Sequence, residues 1–277
     1  MIYDDTQCEL GEGPLWHPTR KELFWFDILG KRLHRKGQLW QFEDYVSAAG
    51  WLDQNTLLIA TSNALRHFDI TTGDHQVIVP LEADNPVTRS NDGRADPQGG
   101  FWIGTMGINA EVGAGAIYRY YKGELRRLFA PITISNAICF APDGRTAYFT
   151  DTPTQKIMRV ALDAQGWPVG DPVLHIDLAG TDFRPDGAVV DASGNLWNAQ
   201  WGMGRVAGYD PEGQFIESFS FAGRQTSCPA FGGDDFSTLF CTSAAVGLSG
   251  GDQGKTFCVQ TRYTGQAEHR VILSRND

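Results

Sequence analysis

Six segments of this chain repeat one short form, in which a turn containing Gly or Asp leads into an apolar, aromatic-rich run and then a polar break. They are "RKELFWFDILGKRLHRK", "DQNTLLIATSNALRHFD", "PQGGFWIGTMG", "PDGRTAYFTDTPTQKIMRV", "ASGNLWNAQWGMGRVAGYD" and "DDFSTLFCTSA". With Leu23, Leu57, Phe101, Ala147, Leu196 and Leu239 as equivalent positions, the spacings are 34, 44, 46, 49 and 43 residues. A period of about 45 is the size of a propeller blade. Four short strands with both faces partly apolar cannot bury those faces alone, but packing between like neighbours around an axis buries them and leaves only short edges. The pieces "KRLHR", "NALRHFD", "GAIYRY", "QKIMRV" and "GRVAGYD" read as the next strand of each hairpin. The expectation is an all-β, six-bladed β-propeller spanning 1–277 as a single domain. A solenoid is the rival, but polar capping repeats are missing from both ends. The tail "GKTFCVQTRYTGQAEHRVIL" is expected to pair with the N-terminal segment and close the ring, and "VGLSGGDQGK" to be a connection inside the last blade.

Charge and composition narrow the function. A net charge of −10 argues against a nucleic-acid groove or an anionic membrane surface, since both need clustered Lys or Arg. The opening "MIYDDTQCEL" has no basic segment followed by an apolar core, and no apolar run approaches the roughly 18 residues of a membrane span, so a cytoplasmic protein is expected. Five cysteines, odd in number and without a C-x-x-C pair, read as reduced thiols and not as a disulfide frame or zinc knuckle. Glycine (32 residues) and proline (13) punctuate the chain too often for long helices.

Counting back from each anchor brings polar residues into one phase. Glu12 lies 11 residues before Leu23, Asn136 11 before Ala147, Asp186 10 before Leu196 and Asn91 10 before Phe101. If the preceding strand of each blade is the innermost one, these four side chains converge on the axis at one level. Two carboxylates and two amides form a hard oxygen-donor set that suits Ca²⁺, Mg²⁺ or Mn²⁺ and that Zn²⁺ tolerates; no His or Cys cluster is visible in the sequence. "RPDG" could be a simple turn in which Asp186 bonds its own backbone, as "APDG" and "DPQG" are, but those lie only four or five residues before their anchors. Phase therefore sets Asp186 apart, and a metal site in the central channel is expected.

At this point the chain resembles the senescence marker protein/gluconolactonase/luciferin-regenerating enzyme family of six-bladed propellers. "LGEGPLWHP" looks like the family's opening motif, "RSNDGRADPQGGFWIGTM" its third-blade block, "ISNAICFAPDGRTAYFTDT" its fourth, "RPDGAVVDASGNLWNAQW" its fifth and "CPAFGGDDFSTLFCTSA" its sixth. The resemblance implies a sugar lactonase using one divalent cation (Ca²⁺, Zn²⁺, Mn²⁺ or Mg²⁺) and acting on a small-molecule sugar lactone. It implies Glu12, Asn136 and Asp186 as metal ligands, Asp186 also as catalytic general base, and Arg89 and Asn91 as contacts to the sugar. Two departures bear on substrate and site. "GTMGIN" puts Asn109 where some members have a carboxylate that bonds substrate hydroxyls, and Ala137 follows Asn136 where the family often has Gly. Asn109 is read as a substrate contact that can donate but cannot act as an anion, so a pentonolactone or galactonolactone is as plausible as gluconolactone.

The implied chemistry is hydrolysis assisted by a Lewis-acidic cation, with Asp186 or an outer-sphere group accepting the proton of water. Gln200 and Trp201, just past the fifth anchor, are candidates for a hydrogen bond and a stacking face, with plain packing as the other reading of Trp201. A nucleophilic serine lacks its pattern, since there is no G-x-S-x-G, and the six histidines are assigned no chemistry. Two other readings remain: a phosphotriester or organophosphate hydrolase on the same cation, and a calcium-binding propeller without turnover.

Overall fold

The computed structural model describes residues 1–274. It is a six-bladed β-propeller of six four-stranded antiparallel sheets, each in sequence order from the axis outward except the last. The innermost strands are Gly11–His17, Val46–Trp51, Thr88–Ala95, Ser135–Phe140, Arg184–Val190 and Gln225–Gly232, in blades 1 to 6. The six anchors all fall on the second strands: Glu22–Asp27, Thr56–Thr61, Phe101–Gly107, Thr146–Asp151, Leu196–Trp201 and Thr238–Ala244. The sixth sheet closes the ring as expected. Its outer strand is Ile2–Asp4, which pairs with Thr256–Gln260 from the other end of the chain. Residues 246–255 connect strands within that blade.

The second strands are apolar on both faces because each face meets a different blade. In "FWI", Phe101 and Ile103 point into the cluster shared with blade 2, and Trp102 into the cluster shared with blade 4. Likewise Phe24 and Phe26 face blade 2, whereas Leu23 and Trp25 face blade 6. All six hydrophobic clusters lie between consecutive blades. Alternation along a strand thus turns one aromatic run into two interfaces. Truncating a fully buried Trp102 would cost about 3–5 kcal/mol.

Two features position the axial residues. Every innermost strand shifts register near its start, between Glu12 and Leu15, Val46 and Ala48, Ser90 and Gly93, Asn136 and Cys139, Pro185 and Ala188, and Thr226 and Pro229. Such bulges re-aim side chains and end regular pairing. They also explain "GEGP": Gly13 has φ +53°, and a Cβ there would lie 2.2 Å from the Ser47 carbonyl oxygen, so only glycine fits. Ala137 takes the same left-handed conformation, φ 56°, with a methyl group that glycine would lack.

The tail departs in part from its expectation. Only Thr256–Gln260 is a strand; residues 261–274 run as an irregular strap across the far ends of the innermost strands. Gly265 N donates to the Phe236 carbonyl (2.8 Å), Gln266 Nε2 to those of Val190 (2.9 Å) and Phe140 (3.1 Å), Val271 N to that of Trp51 (2.9 Å) and Ile272 N to that of Gly99 (2.8 Å). The strap has no alternating pattern because it crosses from blade to blade instead of running along one sheet.

Candidate active site

A cavity of about 190 Å³ opens where the innermost strands begin, opposite the strap. Glu12, Asn91, Asn136 and Asp186 all line it, from four different blades, so the shared phase does bring them together. Arg89 and Trp201 join them. Leu10, Met106 and Ile134 supply apolar wall, and Thr152 completes the lining. The sequence reading missed Thr152 and the apolar residues, since neither has a chemical signature; Thr152 lay inside the quoted "YFTDT", across a hairpin from Asn136.

Hydrogen bonds fix the amides in a chain. Arg89 Nη1 donates to Asn91 Oδ1 (2.8 Å), Asn91 Nδ2 to Asn136 Oδ1 (3.2 Å) and to the Ser135 carbonyl (2.9 Å). Asn136 Nδ2 donates to Thr152 Oγ1 (3.0 Å), whose hydroxyl donates to the Pro185 carbonyl beside Asp186 (2.8 Å). Both amide nitrogens are thereby spent on protein, and the Asn136 oxygen keeps a lone pair free.

The carboxylates are differently placed. Glu12 and Asp186 are 4% and 6% exposed, and among the described residues neither forms an ion pair. Glu12 Oε2 accepts one bond, from Gly13 N (2.8 Å). Burial raises both carboxyls far above the ordinary range; the charge of Asp92 adds to the rise at Glu12, and those of Glu12 and Asp92 to the rise at Asp186. Asp92, also buried, rises to about 6, mainly through desolvation, against the N–H groups of Ile138 and Gly93. Burial lowers Arg89 to about 10, so it keeps its charge at neutral pH. Like charges gathered in a dry place, with Arg89 in the lining and Arg94 committed to Glu268, are incompletely compensated, and a hard divalent cation is the complement that this oxygen set fits.

Two expected substrate contacts do not line the cavity. Asn109 is exposed in the turn after Phe101–Gly107, with its Nδ2 donating to Glu111 Oε1 (3.0 Å). Gln200 is fully buried and spends its amide on the Tyr209 hydroxyl (2.9 Å) and on Arg205 Nε (2.7 Å). The other two innermost strands carry serines at the bulge. Ser47 Oγ bonds Ser90 Oγ (2.8 Å) and Ser227 bonds the Gly11 carbonyl, so both hold blades together. All five cysteines are free and buried. The sequence shows no His or Cys cluster, but the fold makes one by joining Cys8 and His34, 26 positions apart, to Asp27.

The architecture and this cavity define a class: a six-bladed propeller with a buried oxygen-donor site at one mouth of its axis. Residues 10–245 match the model of the SMP-30/Gluconolactonase/LRE-like region. The chain belongs to that family. It is 36% identical to an L-arabinolactonase of Azospirillum brasilense (96% of this chain, 93% of that protein) and 33% identical to a 6-deoxy-6-sulfogluconolactonase of Pseudomonas putida (85% and 83%). Among solved structures it matches a calcium-binding protein, regucalcin, from Agrobacterium tumefaciens strain C58, with a TM-score of 0.95 and 41% identity over 98% of this chain and 97% of that one. Among the described residues no helix is long and apolar enough to cross a membrane.

Proposed function

We propose that this chain, as one propeller domain over 1–277, is a sugar lactonase: a carboxylic ester hydrolase that opens an aldonolactone to the free aldonic acid. The observation that carries the reading is the pair of buried, unpaired carboxylates in the axial cavity, joined by an amide oxygen from a third blade. Family membership and the names of the relatives support the same reaction class. Glu12, Asn136 and Asp186 are proposed to hold one divalent cation, which supplies Lewis acidity towards the lactone carbonyl.

The chain's own groups do the rest. Arg89 presents its remaining N–H donors to ring hydroxyls and Asn91 the spare acceptor capacity of its Oδ1, and Trp201 with Leu10, Met106 and Ile134 offers a face that excludes water. Asp186 accepts a proton from the attacking water and returns it to the ring oxygen as the ester C–O bond breaks, so the acid and a hydroxyl are released together. Gln200, buried against Tyr209 and Arg205, and Asn109, exposed beside Glu111 beyond the lining, are assigned no contact with the substrate.

The test is acid release from a panel of pentono-, glucono- and galactonolactones, after metal stripping and re-addition of Ca²⁺, Mn²⁺, Zn²⁺ or Mg²⁺. Spontaneous opening is subtracted. Turnover that depends on the cation and vanishes in Asp186→Ala is expected; rates equal to background with every lactone and cation would sink the proposal. Cleavage of a fluorophosphate alone would then point to a phosphotriesterase, and tight Ca²⁺ binding without turnover to a binding protein.

A further inference from the structure

Outside the axial cavity, Cys8, Asp27 and His34 meet in the interior. A sulfur, a carboxylate oxygen and a ring nitrogen, one from each, all lie within 4.8 Å of one another. The three residues are 0%, 3% and 3% exposed. Cys8 sits in the segment between Ile2–Asp4 and the innermost strand of blade 1; Asp27 ends that blade's second strand, and His34 is in its third.

Two details point to an absent partner. His34 Nε2 is buried without a hydrogen bond, although buried polar atoms are nearly always satisfied. Its ring is held against Trp25, with centroids 5.6 Å apart and planes 12° from parallel, so it is set in place without having a polar contact. Meanwhile Asp27 Oδ1 accepts from the N–H groups of Leu10 (3.0 Å) and Gly30 (3.0 Å) and Oδ2 from that of Glu9 (3.1 Å), which orients both oxygens and leaves one lone pair, on Oδ2, unused. Fixing a ligand from behind in this way is what metal sites do.

We propose that Cys8, Asp27 and His34 form a second divalent-cation site, of zinc type, that clips the N-terminal segment to blade 1. Thiolate, imidazole and carboxylate together are a borderline-soft set that Zn²⁺ accepts and Ca²⁺ or Mg²⁺ does not. A thiolate, a carboxylate and a neutral imidazole balance a 2+ ion, so the filled site buries no net charge. Burial and the Asp27 charge push the Cys8 thiol up to about 12, and burial lowers His34. The imidazole is therefore already neutral, and uptake displaces one proton, from Cys8. Asp5, Thr6, Gln7 and Glu9 around Cys8 are exposed, so movement of that short stretch admits an ion. Because Ile2–Asp4 is the outer strand of blade 6, the clip secures the seam of the ring.

Cobalt separates this site from the axial one, because a thiolate ligand gives Co²⁺ a near-ultraviolet charge-transfer band and an all-oxygen set does not. Metal-stripped protein titrated with Co²⁺ is expected to develop that band with one equivalent and to lose it to Zn²⁺ but not to excess Ca²⁺. The band is expected to persist in Asp186→Asn, to vanish in Cys8→Ser and to require at least about tenfold more Co²⁺ in His34→Gln. No band in the unaltered protein, or a band that survives Cys8→Ser, would overturn the proposal. Should Cys8→Ser not fold, alkylation of the unaltered chain decides: Zn²⁺ at about ten times its Kd should slow modification of Cys8 about tenfold, read by peptide mass spectrometry. An unchanged rate would count against the site. Lactone turnover plays no part in either readout.

Discussion

The two ends of the axial channel are built from the same six strands, yet they treat buried charge in opposite ways. At the strap end, Arg94 is paired with Glu268 and also donates towards the carbonyls of Pro229 (3.3 Å) and Ala188 (3.5 Å). Its guanidinium is held in the charged form by that carboxylate. At the open end, where the innermost strands of blades 1 and 5 begin, Glu12 and Asp186 lie without an ion pair among the described residues, and their carboxyls are driven towards the neutral form. One end has its complement within the chain, and the other keeps a deficit that a ligand can fill. A buried charge thus marks a functional place when its partner is missing, whereas burial alone does not distinguish the two ends.

The sharpest way to break this contrast is to remove a charge from each end. Asp186→Ala should lower lactone turnover by about 10²–10⁴-fold. In the metal-free protein the same change should hold or raise the melting temperature, because it deletes a desolvated charge and its repulsion with Glu12. A marked fall in melting temperature would make Asp186 a structural residue. Glu268→Gln should do the reverse, leaving Arg94 buried and unpaired at a cost of about 3–5 kcal/mol in urea unfolding while turnover per folded molecule changes little. If instead turnover collapsed and stability held, the strap end would belong to the active site.

A pH series sharpens the same comparison with a smaller effect. Glu12, Asp92 and Asp186 have folded-state values raised above the usual carboxylate value of about 4. Between that value and the raised ones the folded state holds more protons than the unfolded, so stability falls as pH rises through the window. Metal-free protein should therefore lose stability from about pH 4 through about 6, where Asp92 titrates, and beyond. The slope should be shallower in Asp186→Asn and with a saturating divalent cation; equal slopes in all three would contradict the account. The smallest effect is expected at Ala137→Gly, which relieves a left-handed alanine beside Asn136 and, against the added freedom of the unfolded chain, should gain about 0–1 kcal/mol.

The contrast also explains what was legible in the sequence. The blades could be read because each aromatic run, such as "LFWF" or "FWI", must satisfy two interfaces at once and so stands out. The open end could be read because four blades place their polar residue at the same distance before the anchor. The strap could not, since Glu268 and Arg94 lie 174 residues apart and share no period. Asn109 and Gln200 sit near the right strands, but sequence order does not show that Glu111, Arg205 and Tyr209 occupy their side chains. The Cys8, Asp27 and His34 group escaped notice for the same reason, as no ligand spacing connects its members.

The seam of the ring has a consequence for how the molecule assembles. Ile2 pairs with Phe257, so the outermost strand of the last blade leaves the ribosome before blades 1 to 5 and must wait until all of them have followed before its partner appears. Blades 1 to 5 need only neighbouring chain to form their sheets, whereas the sixth requires a loop that encloses all five of them to close. Synthesis therefore produces an open stack before it produces a ring. Changes at the seam should slow the final folding step, whereas changes inside blades 2 to 4 should act on earlier ones.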